Sequence, residues 1–172
     1  IALACAATMT WAQPAPYPHK PIRGIVGYPP GGGTDLIGRI VGQRLAENLK
    51  QTIVIDNRAG ASGIIGAELA AKSPPDGYTI LFTNADHTLN ALVYTKPRYD
   101  AIRDFTPISL LATTPFALLA HPSFSANTLK DLLAMPKAQT EKLAMGSSGL
   151  ATGPHLTYEW LRIKTGLTLN HV

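Results

Sequence analysis

The sequence is poor in the residues on which several chemistries depend. Its only cysteine is Cys5; if the opening segment is cleaved as a signal, the mature chain has none, and neither a disulfide framework nor a cysteine-ligated metal site is possible. Its histidines, His19, His87, His121, His155 and His171, are widely spaced. None forms a pair at ligand spacing, so no metal is expected. Charge is sparse at 15%, with 15 Lys+Arg against 11 Asp+Glu and no basic run; Arg162 and Lys164 come nearest to a cluster. Nucleic-acid surfaces concentrate positive charge on one face with interleaved aromatics, so nucleic acid is not an expected partner. The mild positive excess suits small anionic ligands instead.

Long apolar runs are also missing. The charge-free opening, IALACAATMTWA, is too short to span a bilayer. It reads as the end of a secretory signal, with a small-x-small cleavage zone at Thr10-Trp11-Ala12 that leaves Gln13 as the mature N-terminus. A buried N-terminal helix is the alternative. A lipid anchor at Cys5 is not expected, because the apolar run continues past it.

Glycine and proline, by contrast, are plentiful and punctuate a regular alternation. A proline-rich leader, 13–21, precedes an apolar strand at 22–28. The spacing of Ile37, Ile40, Val41, Leu45 and Leu49 predicts a helix over 36–49. A strand at 51–57, a helix at 62–72 with Ser62 as N-cap, and a strand at 78–84 follow. Strand–helix–strand–helix–strand with short connections predicts a parallel sheet covered by helices. Residues 85–104 read as a long polar loop. Two apolar runs, 107–113 and 115–122, follow with no helix between them. A capped helix from Thr128 to Ala134, a strand at 142–147, a helix at 153–164 with Leu156, Trp160 and Ile163 on one side, and a strand at 167–172 complete the pattern. The chain stops within that strand, which marks it as an expected fragment of a longer protein.

Two loops stand out. The first, Gly27-Tyr28-Pro29-Pro30-Gly31-Gly32-Gly33-Thr34-Asp35, joins a strand to a helix. There the first-turn N–H groups lack intrahelical partners and the helix dipole favours an anion. No lysine follows the glycines, so it is not a P-loop, and no glycine stands at the sixth place of a dinucleotide fingerprint. Two readings remain: a seat for a small anion, with a carboxylate favoured, or a ligand-free tight turn. The second loop, Gly146 to His155, is again strand-to-helix and rich in hydroxyls, with Pro154 suited to a first helical turn. The two loops could face each other across a cleft. An alternative is a serine hydrolase using Ser147 or Ser148 with His155 as base. However, Gly146-Ser147-Ser148-Gly149 is one residue short of a nucleophile elbow. Asp86-His87 follows a strand end and reads as cleft lining, and Tyr28 is either a ligand contact or a core-edge tyrosine.

The ordered blocks KPIR, YPPGGGTD, NRAGASGIIGAE, PDGYT, DFTPI and SSG…H closely resemble the extracytoplasmic solute receptors of tripartite tricarboxylate transporters, the Bug family. The resemblance runs from Tyr17 to Val172. It implies an α/β, type II periplasmic-binding-protein-like fold: two α/β domains with a crossing-strand hinge, here C-terminally truncated. On that pattern residues 1–12 are a signal remnant, 13–106 domain 1, 107–122 the hinge strands and 123–172 part of domain 2. It further implies a periplasmic, monomeric, non-enzymatic receptor without cofactors that delivers a small carboxylate to the membrane subunits of such a transporter. Carried over by motif, the ligand contacts are Tyr28, Gly31, Gly32, Gly33, Thr34 and Asp35, then Thr83, Asn84 and Ala85, then Ser147, Ser148, Gly149, Thr152 and His155. Gly27, Lys50 and Ala59 depart from the family pattern at turns and caps. Asp86, if it faces the cleft, would disfavour a second ligand carboxylate and suit an ammonium.

Overall fold

The computed structural model describes residues 16–94 and 98–172; the signal remnant, Cys5 and the cleavage zone lie outside the described residues. Strand β1 (Ile22–Val26) is central and wholly apolar toward the core, with Ile22, Ile25 and Val26 fully buried. It pairs in parallel with β2 (Ile53–Asn57) on one side and β3 (Thr79–Phe82) on the other, giving the order β2-β1-β3. A second parallel pair, β4 (Ala144–Met145) with β5 (Asn170–His171), is joined through helix α6 (Gly153–Thr165). Every strand-to-helix loop of both units therefore leaves the carboxyl end of a parallel strand, where ligands bind in open α/β sheets.

Helix α1 (Gly33–Leu49) crosses the sheet differently from its expected apolar stripe. Ile40 is 57% exposed, and the wholly buried positions are Asp35, Gly38 and Gly42. A Cβ at Gly38 would sit 3.4 Å from Phe82 and from Val26. The helix thus lies on the sheet along its glycines, with the larger apolar residues flanking the contact. Helix α2 (Ile64–Ala71) begins two residues later than expected, because a 3-10 turn at Ala61–Gly63 holds Ser62 at φ 53 and its N-cap is Gly63. Ser62 caps nothing.

Residues 86–93 form helix α3 (Asp86–Val93) instead of the expected loop. Its buried face is Asp86, His87 and Asn90, so hydrophobic periodicity gives no sign of it. Asn84 accepts the Asp86 N–H at 2.8 Å and begins the turn. The Thr128 capping box does start α4 (Leu129–Ala134), with Asp131 reciprocating, and a short α5 (Lys137–Thr140) follows. The 107–122 segment carries no strand and is exposed throughout. An apolar run becomes a strand only where a neighbour takes its N–H and C=O groups, and among the described residues none does. Trp160 and Ile163 on α6 are likewise exposed, whereas Tyr158 is buried.

Candidate functional site

The glycine loop ends at Gly32, which caps α1 with extended backbone and no side-chain hydrogen bond. Among the described residues the N–H groups of Gly33 and Thr34 have no partner. Gly31, at φ 83, lets the chain turn there, and the loop from Gly31 to Gly33 is exposed. This is a preformed set of donors at a positive helix end.

Asp35 takes a structural place. Although only 2% exposed, it accepts the Gly31 N–H at 2.9 Å, Arg39 Nε at 2.9 Å and Asn57 Nδ2 at 2.9 Å. Asn57 Nδ2 also reaches the Tyr28 carbonyl at 3.1 Å, and Arg39 donates to Asn57 Oδ1 at 3.0 Å. The carboxylate therefore braces the loop from inside. The Arg39 hydrogen bond first, then the Gly31 N–H and Asn57, hold its pKa down to about 2. An unfolded aspartate titrates near about 3.9, so the brace contributes fully above that value and is lost as pH falls toward 2. Asp35→Asn should therefore lower the melting temperature at neutral pH, and the gap to wild type should narrow steadily as pH is lowered from about 5 to 2. Thermal melts in a pH series check this.

The phenol of Tyr28 crosses from the β1 loop to the end of β3. It donates to Asn84 Oδ1 at 2.7 Å, and lies 3.3 Å from Asp86 Oδ2 and 3.4 Å from the Ser62 carbonyl. Asp86, only 5% exposed, accepts the N–H of Gly153 at 2.9 Å. That bond joins α3 to the N-terminus of α6, 67 residues away. Ser62 Oγ donates to the Leu150 carbonyl at 3.1 Å, a second link between the same loops. Phe116 packs over Gly153, where a Cβ would meet its ring at 2.7 Å. The expected residues Tyr28 and Asn84 thus contact Asp86 and Ser62, which make the links to the second-unit loop at one seam, with Thr83 and Ala85 exposed beside them.

The second loop satisfies itself more than the first. Ser147 Oγ lies 2.8 Å from His171 Nε2, Ser148 donates to Thr152 Oγ1 at 3.1 Å, and the buried Thr152 donates to the Gly149 carbonyl at 2.7 Å. His155 Nδ1 accepts the Ala151 N–H at 3.1 Å, so it serves neither serine. Among the described residues no carboxylate hydrogen-bonds to either His155 or His171, and the hydrolase reading is not supported. His87 packs in the core, stacked on Tyr99 at 5.2 Å and edge-on to Phe105 at 4.7 Å, with its pKa lowered by burial. A surface groove of about 710 Å³ between α1 and the edge strand β2 holds none of the expected contacts.

Sequence reasoning missed Asn57, Ser62 and Asn90 and left Asp86 unassigned. Of these, only Asp86 gave a signal, a carboxylate directly after a strand end. The other three act through contacts that only the folded chain creates.

Residues 37–172 match the model of the tripartite tricarboxylate transporter family receptor. Curated relatives from Pseudomonas, Bordetella and other bacteria are 30% to 39% identical, and the chain spans about half of their length. Among solved structures, an R. palustris protein with adipate has a TM-score of 0.85 at 35% identity, with 91% of this chain and 52% of that one covered. The periplasmic binding protein BugD has a TM-score of 0.82 at 30% identity, with 91% and 52% covered. A Rhodopseudomonas palustris protein with bound malate has a TM-score of 0.79 at 27% identity, with 91% and 53% covered. The α/β periplasmic-binding-protein architecture expected from the sequence is the one found.

Proposed function

Because the chain belongs to the tripartite tricarboxylate transporter receptor family, we propose that it is a solute-binding receptor that captures a small organic acid and hands it to the membrane subunits of such a transporter. It performs no catalytic step. Its place is the periplasm, reached through a signal peptide of which residues 1–12 are the end. It works as a monomer with two α/β domains, 13–106 and 123–172, hinged through 107–122.

The observation that carries the reading is the seam itself. Loops from the carboxyl ends of two separate parallel units meet there, through Asp86 to Gly153 and Ser62 to Leu150. Beside the seam on the first unit stands a helix N-terminus with unpartnered N–H groups. A carboxylate seated on Gly33 and Thr34, with Gly31 and Gly32 allowing close approach, would be held by charge-assisted hydrogen bonds. Thr83, Asn84, Ala85, Ser147, Ser148, Gly149, Thr152 and His155 would complete the walls. Domain closure about the hinge would then trap the guest.

The test is thermal unfolding in a panel of organic acids. At a hundredfold excess over Kd the right acid should stabilise the protein by about 2.7 kcal/mol, a rise in Tm of roughly 5–10 °C for this chain size. A panel that spans mono-, di- and tricarboxylates without any rise would contradict the reading.

A further inference from the structure

The corner where Tyr28 meets Asp86 has more acceptors than donors. The single phenolic hydrogen faces Asn84 Oδ1 at 2.7 Å, Asp86 Oδ2 at 3.3 Å and the Ser62 carbonyl at 3.4 Å. One hydrogen serves one of them well, and the shortest contact takes it. Asn84 Oδ1 already receives the Asp86 N–H, and the Ser62 carbonyl receives Asn90 Nδ2 at 2.9 Å. Asp86 Oδ2 is left with a long share of that one hydrogen at 3.3 Å, and among the described residues the only other donor beside the phenol oxygen is the Thr83 hydroxyl. One hydrogen bond further in, Asn90 is wholly buried and its Oδ1 has no partner.

Asp86 is also a nearly buried carboxylate with no Lys, Arg or His partner among the described residues. The N-terminus of α6 compensates one oxygen through Gly153; the other has only the 3.3 Å phenolic contact, shared with Asn84. Burying a charge in this state is costly. Burial, and then the Asp86 charge, raise the pKa of Tyr28 well above that of an ordinary phenol, so its oxygen stays neutral. Asn84, at the edge of the corner, is exposed, and Tyr28 is half-buried.

We propose that the Tyr28–Asp86 corner is a subsite for a cationic donor, so that the receptor prefers an acid carrying an ammonium group to one carrying a second carboxylate. The proposal rests on the carboxylate-receptor reading. An ammonium has three N–H donors, matching Asp86 Oδ2, the Tyr28 oxygen and the Ser62 carbonyl. A carboxylate would add a second negative charge, and more acceptors to a corner where acceptors already outnumber donors.

The experiment is a calorimetric titration of the chain with matched six-carbon acids, namely hexanoate, adipate, 6-aminohexanoate and 2-aminohexanoate, and with their four-carbon counterparts. At one of the two lengths an amino acid is expected to bind at least about tenfold tighter than the dicarboxylate, since like charges at one site are strongly disfavoured. In Asp86→Asn, which keeps an acceptor for Gly153, that ratio should fall by about tenfold or more. If Asp86→Asn fails to fold, Tyr28→Phe carries the test, and a several-fold fall in the ratio is expected. Dicarboxylates binding wild type as tightly as the amino acids, or a ratio unmoved in the variant that folds, would overturn the subsite and leave the receptor reading intact. Failure of every acid to bind wild type would overturn both.

Discussion

Replacing Gly66 with alanine should destabilise the protein by about 2–3 kcal/mol, a fall of roughly 10 °C in Tm for a chain of this size. Helix propensity alone points the other way, since alanine is better than glycine in a helix by up to about 1 kcal/mol. Packing decides the sign. A Cβ at Gly66 would lie 2.7 Å from the Cα of Gly27, 3.1 Å from its nitrogen and 3.3 Å from the Arg58 carbonyl. All three atoms are backbone, so no side chain can rotate away. On the other side of the contact, a Cβ at Gly27 would meet the Gly63 carbonyl at 2.9 Å. Helix α2 therefore rests directly on the chain leaving β1, one residue before Tyr28. Relief of the clash would move the Tyr28 phenol, which reaches Asn84 and Asp86 from that point, so weakened ligand binding should accompany the lower Tm. Gly33→Ala is the control: nothing lies within 4 Å of its Cβ position, so its Tm should equal or slightly exceed that of wild type. A Gly66→Ala protein as stable as wild type would mean that α2 and β1 are not in this contact.

The sheet was legible because its strands obey the simplest rule. Ile22, Ile25 and Val26 are apolar and buried, and the intervening helices and turns have the spacing of parallel units. Helix α3 escaped because its buried face is polar: Asp86, His87 and Asn90 face inward while Leu92 is exposed. Hydrophobic periodicity cannot report such a helix. The 107–122 segment misled in the opposite direction. Its apolar residues have the composition of strands, but pairing depends on a neighbour, and composition does not record neighbours. Glycine clusters announced both site loops. Which donors remained free in them was not readable, because Asp35, expected as a ligand contact, turns back to Gly31, Arg39 and Asn57. The link from Asp86 to Gly153 is tertiary, and no local pattern could signal it.

Gly33→Pro should reduce affinity for the bound acid by about tenfold or more while leaving the ligand-free fold intact, since hydrogen bonds to a charged group contribute about 1.5–3 kcal/mol each. The substitution is suited to its place. Gly33 is the first residue of α1, where proline fits without cost because its missing N–H has no intrahelical partner. The preceding Gly32 has φ −75 and ψ 166, within the extended region that a following proline requires. Space is open around the Gly33 Cβ position. The ring thus deletes one N–H donor and little else, and a less flexible unfolded chain could even raise the ligand-free Tm slightly.

Calorimetric titration of wild type and Gly33→Pro with the tightest-binding acid of the six- and four-carbon series, at matched ligand-free Tm, is the most direct test of a carboxylate seated on the α1 N-terminus. The expected result is a Kd raised by about tenfold or more in Gly33→Pro. Equal Kd values for the two proteins would contradict it, and would move the carboxylate seat away from the glycine loop.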